Sequence, residues 1–339
     1  MALSKIYGID IVGIESIIPT KIENNLELPL ISMEERIALV KHTGIKHRRI
    51  VEDSKTEVKQ LYKKGIENII SKLNWDIESI DVVICVTQTA VTAIPSIACQ
   101  LHGDLNMNNE ALCYDINSGC SGFVYGLHTI STLLNSLDKE NVRALLCCGD
   151  ISSQLIEPND KSTKPIFSDA ASVIAIQSNN NKTDVSGYFN LQTEGSGQHA
   201  IYTEKAEQKP YMKLNGIDVF NYSLKLVPQN ITNLLAYANQ SVLFPDLFVF
   251  HQANKLINDA IARRLKLEPT KVPSTLEAYG NTASASIPLT LGCSWNKNIC
   301  SSGWILISGF GVGFSVASAL VKFNPITYSK PEEYSTSSL

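Results

Sequence analysis

Three residues able to do acyl chemistry stand where strand-like runs give way to small residues and then to helical patterns. Cys120 lies in YDINSGCSGF (114–123), a tight elbow with a helical pattern starting at about Cys120. Gly119 and Gly122 permit unusual backbone angles and close approach. A thiol there faces unpaired backbone N–H groups and the positive end of a helix dipole, both of which favour thiolate. That suits a nucleophile, and the Cys120 N–H is placed to help stabilise a thioester oxyanion. The blander reading is a core cysteine, as Cys85, Cys147 and Cys148 are read to be. In LFVFHQAN (247–254) an apolar strand ends in a polar cluster, with His251 at the carboxyl end, where α/β sheets place ligand-binding residues. YGNTASAS (279–286) is another small-residue elbow and supplies Asn281. A lone His or Asn is usually structural; three polar residues at such boundaries make a candidate nucleophilic site.

The elements that must position these residues are legible as runs. Buried strands are expected at 81–86, 113–116, 143–148, 173–176, 247–250 and 304–307, each almost unbrokenly apolar. Helical patterns occupy about 32–42, 55–73, 120–136, 217–238, 255–265 and 284–292. Alternation of the two predicts an α/β fold with layered sheets. Each half holds a strand, a small-residue turn and a helix, so two units are expected, 1–177 and 178–324, divided near the Asn-rich stretch 178–183. A polar, loosely ordered tail is expected over 325–339.

Composition removes several alternatives. The 339 residues carry 29 Lys+Arg against 33 Asp+Glu, so there is no basic field for nucleic acid. The longest apolar runs, such as 82–86 and 144–148, fall far short of the roughly 20 residues a membrane span needs. Lys5 and Asp10 interrupt any apolar signal region. The eight cysteines form no CxxC pair, which suits reduced thiols in the cytoplasm better than disulfides or zinc. The Asn-x-Ser/Thr triplets at Asn181, Asn221, Asn230 and Asn239 therefore carry no weight as glycosylation sites. Gly311 and Gly313 lack the third glycine and following helix of a dinucleotide loop.

The three segments together resemble the ketoacyl-ACP synthase III family of thiolase-fold condensing enzymes, from about residue 6 to 323. TGIKHRRI (43–50), IPSIACQ (94–100), LNGIDVF (214–220), SGFGVGF (308–314) and SALVKF (318–323) match in order. The resemblance implies two similar halves, each with a mixed five-stranded sheet, layered αβαβα. It implies that Cys120 holds the acyl group, while His251 and Asn281 hydrogen-bond a malonyl thioester carbonyl and stabilise the enolate left by CO2. The backbone N–H groups of Cys120 and Val312 would form the oxyanion hole. Gly216, Phe220, Ala253 and Asn254 would meet the pantetheine arm. Ile94 would cap a partner's acyl pocket across a homodimer, and Arg263 and Arg264, with Lys266, would meet an acidic acyl carrier protein. No metal or redox cofactor is implied beyond coenzyme A or phosphopantetheine thioesters. A thiolase would need a second cysteine in the C-terminal glycine-rich loop, and the elongating synthases two histidines.

The sequence also departs from the family pattern. The positions of the adenine-stacking Trp and a neighbouring Arg read Ala38 and His42, and that of a second Arg reads Gln154, which implies altered coenzyme A recognition and favours carrier-bound donors. SDAAS (168–172) keeps only Asp169 of a glycine-rich motif, and Val312 replaces a glycine. These changes imply a specialised member. Acyl transfer from Cys120 to a hydroxyl or amine is the alternative reaction, which Asn281 disfavours; a non-catalytic partner of an active paralogue is a third reading.

Overall fold

The computed structural model describes residues 2–179, 183–204, 210–295, 303–323 and 325–335. Cys300, Asn181 and the centre of the 178–183 stretch lie outside the described residues, as does the end of the tail from 336. The strands, in chain order, are β1 (Ala2–Tyr7), β2 (Ile9–Pro19), β3 (Ile22–Asn24), β4 (His47–Arg49), β5 (Val82–Val86) and β6 (Leu112–Ile116). They continue as β7 (Arg143–Asp150), β8 (Ala170–Ser178), β9 (Val185–Thr193), β10 (Ile201–Glu204), β11 (Tyr211–Leu214) and β12 (Leu247–Phe250). The last are β13 (Trp304–Gly311), β14 (Ser315–Lys322), β15 (Thr327–Tyr328) and β16 (Glu332–Tyr334). The helices that matter are α1 (Met33–Thr43), α2 (Val58–Leu73), α3 (Ile97–Asp104), α4 (Gly122–Ser136), α5 (Gly216–Tyr237) and α6 (Lys255–Leu265). Two more follow, α7 (Leu276–Tyr279) and α8 (Ser286–Ser294).

Two mixed sheets carry the molecule. One runs β15-β2-β8-β7-β5-β6, with β16 also on β2; the other runs β1-β9-β14-β13-β12. Their strands alternate faces, as the period of two requires. Val82, Ile84 and Val86 of β5 and Ile305 and Ile307 of β13 point into one shared core with Phe123, Val124 and Leu127 of α4 and Ile287 and Leu291 of α8. Val83 and Cys85 of β5 face α2 and α3 on the opposite side. Leu306 of β13 faces α5 and α6. The layers are therefore helix, sheet, helix, sheet, helix, with α4 and α8 sandwiched between the sheets. Fully apolar strands are what a sheet covered on both faces needs.

The chain order of these sheets departs from the expected divisions at both ends. β1 crosses to the later sheet, pairing antiparallel with β9, so residues 2–7 do not belong with the rest of 1–177. The tail is not loose as far as Tyr334: β15 and β16 pair parallel with β2, and Arg49 and Lys64 form ion pairs with Glu333 and Glu332. Polar composition hid this, because an added edge needs backbone pairing rather than apolar side chains.

Candidate active site

Both β6 and β12 end on the same side of the molecule and deliver their next residues to one cavity. The turn after β6 carries Cys120 to within two residues of the start of α4. Neither Gly119 nor Gly122 has a positive φ; each supplies room instead. A Cβ on Gly119 would lie 2.4 Å from Oε1 of Gln88, and one on Gly122 2.5 Å from Cγ1 of Val86. From the opposite side Gly311, at φ +153°, presses its backbone so close that a Cβ there would stand 2.9 Å from the Cys120 sulfur.

Burial pushes the Cys120 thiol up to about 12, and the Asp150 carboxylate adds to the rise. The backbone N–H groups of Val312 and Cys120 face the sulfur and act the other way. The thiolate expected from the elbow is thereby corrected to a thiol. Desolvation of the charged form outweighs the two N–H groups, and the helix itself begins only at Gly122, past the sulfur's own residue.

His251 follows Phe250, the last residue of β12, and donates its backbone N–H to the Ser308 carbonyl at 2.8 Å. Its buried ring is held at Nδ1 by Ser286 Oγ, 2.7 Å away, and meets the Phe310 ring edge-on at 5.6 Å. Burial holds the imidazole down to about 3, with the Ala283 backbone opposing, so the ring is neutral across the physiological range. Asn281 is pinned by its backbone N–H to Ile166 O and by Ser168 N–H to its own carbonyl. Its Oδ1 accepts the Ala283 N–H at 3.0 Å, which leaves the amide nitrogen as its free end.

Cys120, His251 and Asn281 together line a cavity of about 200 Å³, walled by Phe167, Ile201, Val219 and Ile257. Gly216, Ala253 and Asn254 line it too, and Asn254 also caps α6 by accepting the Ile257 N–H at 2.9 Å. Phe220 does not line it; Val219 takes that place, and Phe220 packs against the outer helical layer. The cavity shares Ser162 and Leu214 with a polar cleft of about 530 Å³ lined by Lys161, His199 and Lys213. Arg263 and Arg264 lie exposed at the end of α6, and Lys266 ends that helix. Ile94, 85% exposed, lies on the loop between β5 and α3, away from its own chain's cavity. Gln154 donates its amide to the Thr56 carbonyl at 3.0 Å, while Ala38 and His42 lie exposed on α1.

Sequence reasoning passed over Ser286, although it ends the YGNTASAS segment, because a serine carries no signal until its partner is known. It also passed over Phe310 and Asp150. The Asp150 carboxylate gathers Thr87 Oγ1, Gln88 N–H and Ser284 Oγ beneath the cysteine.

Residues 114–195 match the family of 3-oxoacyl-[acyl-carrier-protein (ACP)] synthase III, and residues 238–323 match that family's C-terminal part. β-Ketoacyl-[acyl-carrier-protein] synthase III of Microcystis aeruginosa is 31% identical over 320 residues, spanning 90% of this chain and 94% of the relative. This chain belongs to the synthase III family. The same-named protein of Lactobacillus helveticus is 29% identical over 94% of this chain and all of its own. Among solved structures, the 3-oxoacyl-(acyl-carrier protein) synthase of Burkholderia xenovorans superposes with a TM-score of 0.90 at 29% identity, covering 98% of this chain and 99% of that one. The priming β-ketosynthase of the R1128 polyketide pathway superposes at 0.84 with 25% identity, covering 96% and 99%. With these neighbours the thiolase-like fold is shown.

Proposed function

We propose that this synthase III family member loads an acyl group on Cys120 and condenses it with a malonyl thioester on acyl carrier protein to give a β-ketoacyl thioester. The observation that carries the reading is the convergence of a sulfur, an imidazole and a primary amide on one cavity with an apolar wall. Sγ attacks the acyl carbonyl as its proton passes to the departing thiol, and the backbone N–H groups of Cys120 and Val312 hold the oxyanion. We assign the tautomer in which Ser286 Oγ donates to Nδ1 of His251 across 2.7 Å. That leaves Nε2 as the protonated nitrogen, a neutral donor beside the Asn281 amide. The two donors hold the malonyl carbonyl; CO2 leaves, and its electron pair becomes the enolate. The enolate carbon attacks the acyl-cysteine carbonyl, and the Cys120 sulfur departs. None of these steps calls on a metal or redox cofactor.

Acyl transfer to a hydroxyl or amine would call for a base at the acceptor. A ring whose pKa burial holds down to about 3 is a weak base, and beside a second carbonyl donor it fits enolate stabilisation better. The mouth cleft balances Lys161 and Lys213 against Asp160 and Glu157, the last paired with Lys213 at 3.1 Å, so the carrier-protein reading rests on the exposed Arg263 and Arg264, which suit an acidic partner. A homodimer is supported by β6, which ends its sheet, and by the exposed apolar Val91 and Ile94 beside it. The free cysteines among the described residues agree with a cytoplasmic setting. Release of labelled CO2 from carboxyl-labelled malonyl carrier protein tests the reading. Release that depends on an acyl donor and is lost in Cys120→Ala supports it; no release by the wild type refutes it.

A further inference from the structure

A second cavity, of only about 20 Å³, is lined by Cys120 but not by His251 or Asn281. On this measure a single water needs roughly 10–15 Å³, so the space takes one or two non-hydrogen atoms past the thioester carbonyl. Its wall is not uniformly apolar. Leu155, Phe167 and Met212 line it together with Gln88, Thr89 and Ser152. The Thr89 hydroxyl is already used, accepting the Ile151 N–H at 2.9 Å and meeting Thr87 Oγ1 at 3.2 Å. The Asp150 carboxylate accepts three hydrogen bonds from its surroundings. Ser152 differs. It is 1% exposed, lines the cavity, and its hydroxyl makes no hydrogen bond among the described residues. Gln88 lays its amide over Gly119 beside the nucleophile, with only a 3.5 Å contact from Nε2 to Asn117. The Ser152 hydroxyl, enclosed and unpartnered, is costly to leave unbonded, and the half-exposed Gln88 amide stands beside it.

Resting on the loading reaction proposed above, we infer that the acyl group is two carbons long and ends in a neutral hydrogen-bonding group such as a hydroxyl, which Gln88 and Ser152 recognise. Glycolyl and propionyl thioesters are the discriminating pair, since CH2OH and CH2CH3 fill nearly the same volume. In loading, Sγ forms the new C–S bond, the pantetheine C–S bond breaks, and the Cys120 proton leaves with the pantetheine thiol.

The test presents acetyl-, glycolyl-, propionyl- and hexanoyl-pantetheine to the full chain and reads the Cys120 adduct by intact-protein mass in pairwise competition. Glycolyl is expected to load roughly tenfold or more faster than propionyl, because a site that bonds a hydroxyl rejects the analogue lacking it. Hexanoyl is expected not to load. Ser152→Ala and Gln88→Leu, read on the same competition, are expected to move the ratio toward propionyl. Propionyl equal to or better than glycolyl, with acetyl loading normally, overturns this inference alone. Failure of every donor, acetyl included, overturns the loading reaction itself.

Discussion

Ser286 Oγ lies 2.7 Å from Nδ1 of His251, so a residue 35 positions further along the chain sets which end of the imidazole faces the cavity. The serine opens α8 in the central helical layer, and the histidine directly follows β12. One neutral hydrogen bond is worth about 0.5–1.5 kcal/mol net, or up to about tenfold in rate. Ser286→Ala is therefore expected to lower kcat of condensation by up to about tenfold while leaving acyl loading of Cys120 intact. Single-turnover assays separate the two steps, and an equal loss in both would show that Ser286 supports the fold rather than the tautomer.

His251→Ala and Asn281→Ala each remove one donor to the enolate. Each loss is expected to lower condensation by about 10²–10³, the usual cost of an oxyanion-stabilising donor. Both variants are expected to keep forming the acyl adduct, because neither side chain is asked to activate the sulfur. Mass spectrometry of the loaded variants reads this directly.

The pH dependence follows from the burial of the two groups. With the thiol at about 12, the thiolate fraction rises tenfold per pH unit through the accessible range. Alkylation of Cys120 by iodoacetamide is thus expected to climb with unit slope from pH 7 to 10, where an ordinary exposed cysteine levels off near its pKa of about 8.5. With His251 at about 3, its ring does not change charge between pH 5 and 8, and decarboxylation is expected to show no histidine step there. A plateau in alkylation near pH 8 would mean that the N–H groups of Val312 and Cys120 prevail over burial.

The elements that bury Cys120 and His251 were legible because β5, β6, β7, β12 and β13 are nearly continuous apolar runs, and all appear close to where expected. β2, β9 and β14 were passed over. Asp10 and Glu15 interrupt β2, Gly187 and Asn190 interrupt β9, and Ser315 and Ser318 make β14 look like a loop. Those residues are accommodated by tertiary partners that no local pattern announces: Ser318 bonds Ser308, Glu15 bonds Lys72, and Asn190 bonds the Asn230 carbonyl. At the site, Cys120, His251 and Asn281 stood out by boundary position. The Cys120 protonation state did not, since a helix start argues for thiolate and only the assembled cavity reveals the desolvation that wins.

Ile94 is 85% exposed near the edge strand β6. If that edge meets a second copy, Ile94→Asp places a charge in an apolar contact. The variant is expected to shift the sedimentation profile from dimer toward monomer and to weaken acyl loading in parallel. An unchanged profile would remove Ile94 from the interface.

The direct test of condensation starts from Cys120 carrying an acyl group, freed of excess donor and mixed with malonyl carrier protein for a single turnover. Discharge of Cys120, one CO2 per site and a carrier product bearing the acyl group joined through a new carbon–carbon bond is the expected result. An adduct that persists with malonyl carrier protein but is released by an alcohol or amine would contradict it.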